Sequence, residues 1–214
     1  MKRLGILLSG RGSNFLAIHQ AIHNPDPDGR LPNAEIAIVL SNKSDAPGLA
    51  AARDLGIPAH HIPVAGRTPF ERDADFIAKL REAEVDLVCL AGYMRIISPP
   101  FVAAFPNRIL NVHPSLLPSF PGLDAQQQAL EFGAKIAGCT VHFVDERVDH
   151  GIIILQRAVP VLDDDTPATL AARILIEEHQ AYPEAIARVL SGDYTIADRR
   201  FLRTLATGSE SSLA

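Results

Sequence analysis

Short apolar runs of strand length, Leu4 to Leu8, Ile36 to Leu40, Leu87 to Ala91 and Ile109 to Val112, separate longer segments of helical period at Asn14 to His23, Ala46 to Leu55 and Pro69 to Ala83. Strands that alternate with helices in this way build βαβ units. The fold class is therefore α/β and Rossmann-like, a mostly parallel twisted sheet with helices on both faces. Thr68-Pro69-Phe70-Glu71 is a capping box with proline at the first helical position, which sets the start of the third helix.

Two further strand-like runs, Lys135 to Val144 and Ile152 to Val161, are separated by a short polar segment and read as an antiparallel hairpin at one side of the sheet, toward the C-terminal part. The last long helix begins at Thr166-Pro167 and runs to about Leu190. Pro183 is expected to kink or break it, and Ser191-Gly192 to end it. From Thr204 onward the polar tail is expected to be disordered. With no internal repeat and no low-complexity linker, one domain over residues 1–203 is expected, with residues 204–214 as the tail.

The 214 residues are 47% hydrophobic, enough for one substantial core. A net charge of -5 without a clustered Lys/Arg run leaves no electrostatic footprint for nucleic acid. Met1 to Arg3 lead into an apolar run too short for a signal segment or a membrane span, so a cytoplasmic protein is expected. Cys89 and Cys139 both lie inside strand-like runs and read as buried free thiols rather than as a disulfide or a zinc site.

Chemistry concentrates at the ends of strands. Gly10-Arg11-Gly12-Ser13-Asn14 follows the first strand and opens a helix, where free N–H groups and the helix dipole favour a phosphate; the alternative is a turn in which Ser13 or Asn14 only caps the helix. Phe15 stands where a dinucleotide fingerprint would need glycine, and no Gly-Lys-Ser/Thr follows, so a single phosphomonoester fits best. Gly92 to Ile97 leaves the strand that ends near Ala91, in the crevice where open α/β sheets bind ligands. Its apolar members beside Arg95 fit either a slot for a flat aromatic ligand or a packed connector.

Asn111 and His113 share one face of the following strand, an amide donor beside an imidazole, as acyl-type chemistry uses. Pro114, Pro118 and Pro121 stiffen the loop after them. Asp149 is either a turn aspartate or the partner that orients His113. Glu178 lies on the apolar stripe of the last helix and faces either a polar ligand or water at the helix edge, whereas Glu177 has Arg173 one turn back for a solvated pair. His60-His61 carry no metal-ligand spacing and default to surface or strand-edge places, and His142 flanks the site without a catalytic assignment.

Taken together, "GILLSGRGSN", "VLSNK", "AGYMRI", "LNVHPSLLPSFPG", "QALEFG", "TVHFV", "DHGIIILQ" and "EEHQAYPEAI" make the whole chain similar to the folate-dependent glycinamide ribonucleotide formyltransferases of purine biosynthesis. The resemblance implies formyl transfer from 10-formyltetrahydrofolate, as co-substrate, to the amine of glycinamide ribonucleotide, with no metal and no nicotinamide or flavin. By position it implies a catalytic trio of Asn111, His113 and Asp149, phosphate contacts at Gly12, Ser13 and Asn14, and a ribose contact at Glu178. For the folate it implies Arg67, Met94, Arg95, Ile96, Ile97 and Val144. It further implies a phosphate-binding half at about 1–100, a catalytic and folate-binding half at about 101–203, small-molecule partners only, and a monomer or weak homodimer.

Two positions depart from the expected pattern. Asp124 follows "PGL", where His or small polar residues are expected, and His150 stands where glycine is frequent. Formyltetrahydrofolate hydrolases and methionyl-tRNA formyltransferases are related alternatives, the first expected to carry an N-terminal regulatory domain and the second a basic C-terminal extension. A non-catalytic nucleotide-binding module is the alternative from a different class.

Overall fold

The computed structural model describes residues 1–24, 31 and 33–204. Apart from Thr204, the expected disordered tail lies outside the described residues. A seven-stranded sheet runs in the order β3-β2-β1-β4-β5-β6-β7. Strands β1 (Lys2–Leu8), β2 (Ala34–Ser41), β3 (Ala59–His61), β4 (Leu87–Leu90) and β5 (Ile109–His113) pair in parallel. Strands β6 (Ile136–Phe143) and β7 (Ile153–Pro160) add to β5 antiparallel, as the hairpin expected at one side of the sheet.

Alternation along each strand divides the core. Leu4, Ile6 and Leu8 of β1, with Cys89 of β4 and Leu110 of β5, pack under α1 (Ser13–His23), α2 (Pro47–Asp54), α5 (Ala125–Phe132) and α6 (Pro167–Ser191). Leu7, Val88, Leu90 and Ile109 pack on the other face against α3 (Pro69–Glu82) and α4 (Pro99–Ala104). Successive strand residues point to opposite faces, so an apolar run is buried on both sides only between two helical layers. The expected start of α3 is present: Thr68 Oγ1 accepts from Glu71 N, and the Glu71 carboxylate accepts from Thr68 N.

Helix α6 runs unbroken through Pro183. The missing proline N–H costs about 3 kcal/mol in a helix interior, but Ile174, Ala181, Tyr182, Ala185 and Ile186 keep one buried stripe across it. The Tyr182 hydroxyl sits 3.1 Å from Leu90 O and 3.0 Å from Leu110 O, its single proton shared between two adjacent strands. Tyr182→Phe is expected to cost about 1–2 kcal/mol, a fall in Tm of roughly 2–8 °C by calorimetry.

The pairing expected between Glu177 and Arg173 is absent. Arg173 reaches Asp165 at 2.7 Å, while Glu177 pairs with Arg157 of β7 at 3.3 Å, because the strand lies nearer than the preceding helical turn. His60 and His61 stand in the edge strand β3. The described residues end with a two-stranded hairpin, β8 (Tyr194–Ala197) and β9 (Arg200–Arg203).

Candidate active site

The parallel strands deliver their C-terminal ends to one crevice. At its first edge, Gly12 takes φ 75° and caps α1 without any side-chain hydrogen bond, so neither Ser13 nor Asn14 serves as the cap. A Cβ on Gly12 would meet Gly48 Cα at 3.0 Å, and the left-handed backbone disfavours any other residue. The α1 N-terminus is therefore free of a side-chain acceptor, which suits an anion.

Asn14 instead points into the protein and donates from Nδ2 to Glu178 Oε2 at 2.7 Å, with both residues 7% exposed. The Asn14 Oδ1 atom is buried without a partner. Burial pushes the Glu178 carboxyl above its ordinary pKa, and the Asn14 bond offsets only part of that shift. A carboxyl that holds its proton more tightly when folded loses native stability as pH rises from the ordinary carboxyl value through the raised one. Glu178→Gln removes that cost. The variant should therefore unfold at a higher temperature than the parent near neutral pH, with the gap closing as pH falls into the ordinary carboxyl range.

The middle of the crevice is the loop after β4. Ser9, just past β1, accepts from Met94 N at 2.8 Å and donates to Asn42 Oδ1 at 2.6 Å, so one hydroxyl ties the ends of three strands. Met94 and Ile96 are 68% and 71% exposed, Arg95 is also exposed, and Ile97 is buried in the core layer that includes Tyr93 and against which Val144 packs. The structure thus brings Ile97 and Val144 to one apolar layer. Arg67 is occupied elsewhere, bonding to Asp75 at 2.6 Å and to the Glu71 carbonyl at 2.8 Å.

Asn111, His113 and Asp149 converge beyond it. His113 Nδ1 lies 3.4 Å from Asp149 Oδ2, and its Nε2 lies 2.9 Å from the Phe120 carbonyl. The ring thus hydrogen-bonds the loop backbone through Nε2 and turns Nδ1 toward the Asp149 carboxylate. Asp149 adopts φ 50° and accepts from Gly122 N at 2.8 Å, which couples it to the proline-rich loop. That loop contains a cis peptide bond at Leu117-Pro118.

His142, opposite Asn111 in the β5–β6 register, joins the group. Its Nδ1 lies 2.7 Å from the Phe143 carbonyl, which makes Nδ1 the protonated nitrogen and leaves Nε2 to accept from Asn111 Nδ2 at 3.4 Å. Burial lowers the His142 pKa and keeps the ring neutral. One amide proton of Asn111 is thereby oriented and the other is left for a ligand. Sequence reasoning placed His142 only at the flank; its alignment with Asn111 is a property of strand register.

The two departures from the expected pattern fall outside this group. Asp124 is exposed at φ 56° and precedes α5 without capping it. His150 pairs with Asp145 at 2.8 Å, and its carbonyl accepts from Arg199. A cavity of about 810 Å³ between α1 and α6 reaches Ser13, and another of about 240 Å³ lies behind Phe120. Neither is lined by the trio. Among the described residues, no group of three or more His, Cys, Asp or Glu could hold a metal ion, and no helix is long and apolar enough to cross a membrane.

The chain is similar to known proteins over most of its length. The crystal structure of glycinamide ribonucleotide transformylase 1 from Symbiobacterium toebii superposes with a TM-score of 0.90 at 51% identity, covering 95% of this chain and 94% of that one. The phosphoribosylglycinamide formyltransferase of Haemophilus influenzae is 41% identical over 92% of each chain. A trifunctional purine biosynthetic protein of Drosophila melanogaster is 46% identical over 92% of this chain, which spans only 14% of that protein's length. Since the formyl transferase family model matches residues 2–186, this chain belongs to the formyl transferase family.

Proposed function

We propose that the chain transfers the formyl group of 10-formyltetrahydrofolate to the amine of glycinamide ribonucleotide, giving N-formylglycinamide ribonucleotide and tetrahydrofolate. The observation that carries this reading is the meeting of Asn111, His113 and Asp149 in one crevice that also holds an uncapped helix N-terminus and the buried Asn14–Glu178 pair. The ribonucleotide's phosphate takes the N–H groups at Gly12, Ser13 and Asn14, and its ribose hydroxyls reach Glu178. Folate lies along Met94 to Ile97 and Val144, while Arg67, already bound to Asp75, contributes at most at the outer rim. Residues 1–203 act as one unit, because Asn14 and Glu178 bond across the two halves of the chain.

The reaction needs a neutral amine, a polarised formyl carbon and a route for one proton. The amine lone pair attacks the formyl carbon while the carbonyl electrons move to oxygen. The free Asn111 N–H and His113 Nε2 stabilise that oxyanion, and Nε2 exchanges its bond to the Phe120 carbonyl for one to the substrate. Asp149 orients the His113 ring and a water. The amine proton passes through that water to N10 of the folate as the bond from N10 to the formyl carbon breaks. Glu178→Gln should weaken ribonucleotide binding about ten- to hundredfold, the size of a charge-assisted hydrogen bond.

Carbon-13 in the formyl group offers a direct test by NMR. The label should appear in an amide of the ribonucleotide product. Label recovered as free formate would instead make the chain a hydrolase.

A further inference from the structure

Helix α3 buries an ion pair that the catalytic description leaves unused. Arg72 and Asp73, neighbours in the chain, are 5% and 1% exposed, and Arg72 Nε donates to Asp73 Oδ1 at 2.7 Å. Burying two charges is expensive, and such a pair is often no more stabilising than apolar residues of the same volume. Its other bonds all go to one place. Arg72 Nη2 donates to the Ile96 carbonyl at 2.9 Å, and Asp73 Oδ2 accepts from Ser98 N at 2.7 Å.

Those two backbone groups bracket Ile97, the buried member of the loop after β4. The N-terminal end of the loop is fastened separately, through Ser9 and Met94. Tyr93 OH and Ser98 Oγ are buried without partners, so neither hydroxyl anchors the segment. A guanidinium suits this task because its planar fork serves two acceptors at a fixed angle. Without such a clamp, exposed Met94 and Ile96 would be ordered only on binding, at a cost in affinity.

We propose that Arg72 and Asp73 are positioning residues for the folate co-substrate, holding Ile96 to Ser98 with Ile97 packed in the core so that Met94 and Ile96 present one preformed apolar wall. This rests on the folate role assigned to that loop above. The pair touches neither reacting atoms nor the ribonucleotide, so its effect falls on folate affinity rather than on the chemical step.

The test uses Arg72→Met/Asp73→Leu, which removes both charges together and leaves neither uncompensated. The KM for 10-formyltetrahydrofolate should rise about tenfold or more, while the ribonucleotide KM stays within about twofold and kcat within about threefold. Hydrogen exchange at Ile96 to Ser98 should quicken about tenfold with Gly12 to Phe15 unchanged. Arg72→Lys, which keeps the charge but loses the second arm, should fall between the parent and the double variant. An unchanged folate KM in a folded variant, or an equal rise in both KM values, would overturn the proposal. If the double variant fails to fold, Arg72→Lys decides, and an unchanged folate KM there is equally fatal. Absence of any turnover by the parent would remove the folate role itself, and the exchange comparison would still decide whether the pair holds the loop.

Discussion

Replacing His113 with Ala lowers turnover by about 10³-fold or more and leaves ribonucleotide affinity within a few fold. The ring stands between the Phe120 carbonyl and Asp149, and the proposed oxyanion has only two donors, His113 and Asn111. Loss of one oxyanion donor typically costs about 10²–10³ in rate, and loss of a group that also manages charge adds to that. The phosphate and ribose contacts lie at the far edge of the crevice, on Gly12 to Asn14 and Glu178, so binding survives. His113 is 5% exposed, and its removal leaves the Phe120 carbonyl without its ring partner and Asp149 with the Gly122 N–H. Asn111→Ala is therefore the companion variant: it removes the other donor from a less buried position and should cost about 10²–10³ in rate. Unchanged turnover in the His113 variant would take the histidine out of the mechanism.

Gly151→Ala should lower turnover about 10²-fold although its side chain touches no substrate. A Cβ built on Gly151 would lie 1.7 Å from the Phe143 carbonyl, a distance no packed structure accommodates. The chain must shift there, two residues from Asp149 and at the end of β6 next to His142. Displacing a catalytic group by about 1 Å can cost about 10²-fold in rate. The prediction separates geometry from chemistry, because every functional side chain is retained. Circular dichroism should show a folded protein and stopped-flow assays a reduced kcat; a kcat equal to the parent's would mean that the 144–151 turn does not set the position of Asp149.

Much of the fold could be read from periodicity, because its central strands are apolar on both faces and its helices carry strong stop and start signals such as the Thr68 capping box. What escaped was short or irregular. Strand β3 has three residues, α4 is six residues opening on Pro99-Pro100, and α5 begins at polar glutamines after a left-handed Asp124, so none has a full period to display. Asn111 and His113 were visible as residues two apart on one strand, and Glu178 as an acid on a buried stripe. The Phe120 carbonyl was not, since a backbone group has no letter of its own. The Arg72–Asp73 pair was hidden for a related reason: its partners are backbone groups more than twenty residues away.

The central claim is that the formyl group goes to the ribonucleotide amine and not to water. The direct measurement is the absorbance change on deformylation of 10-formyltetrahydrofolate by the purified protein, with and without glycinamide ribonucleotide. Turnover that requires the ribonucleotide is the predicted result. Equal turnover in its absence would contradict the account and make the chain a hydrolase.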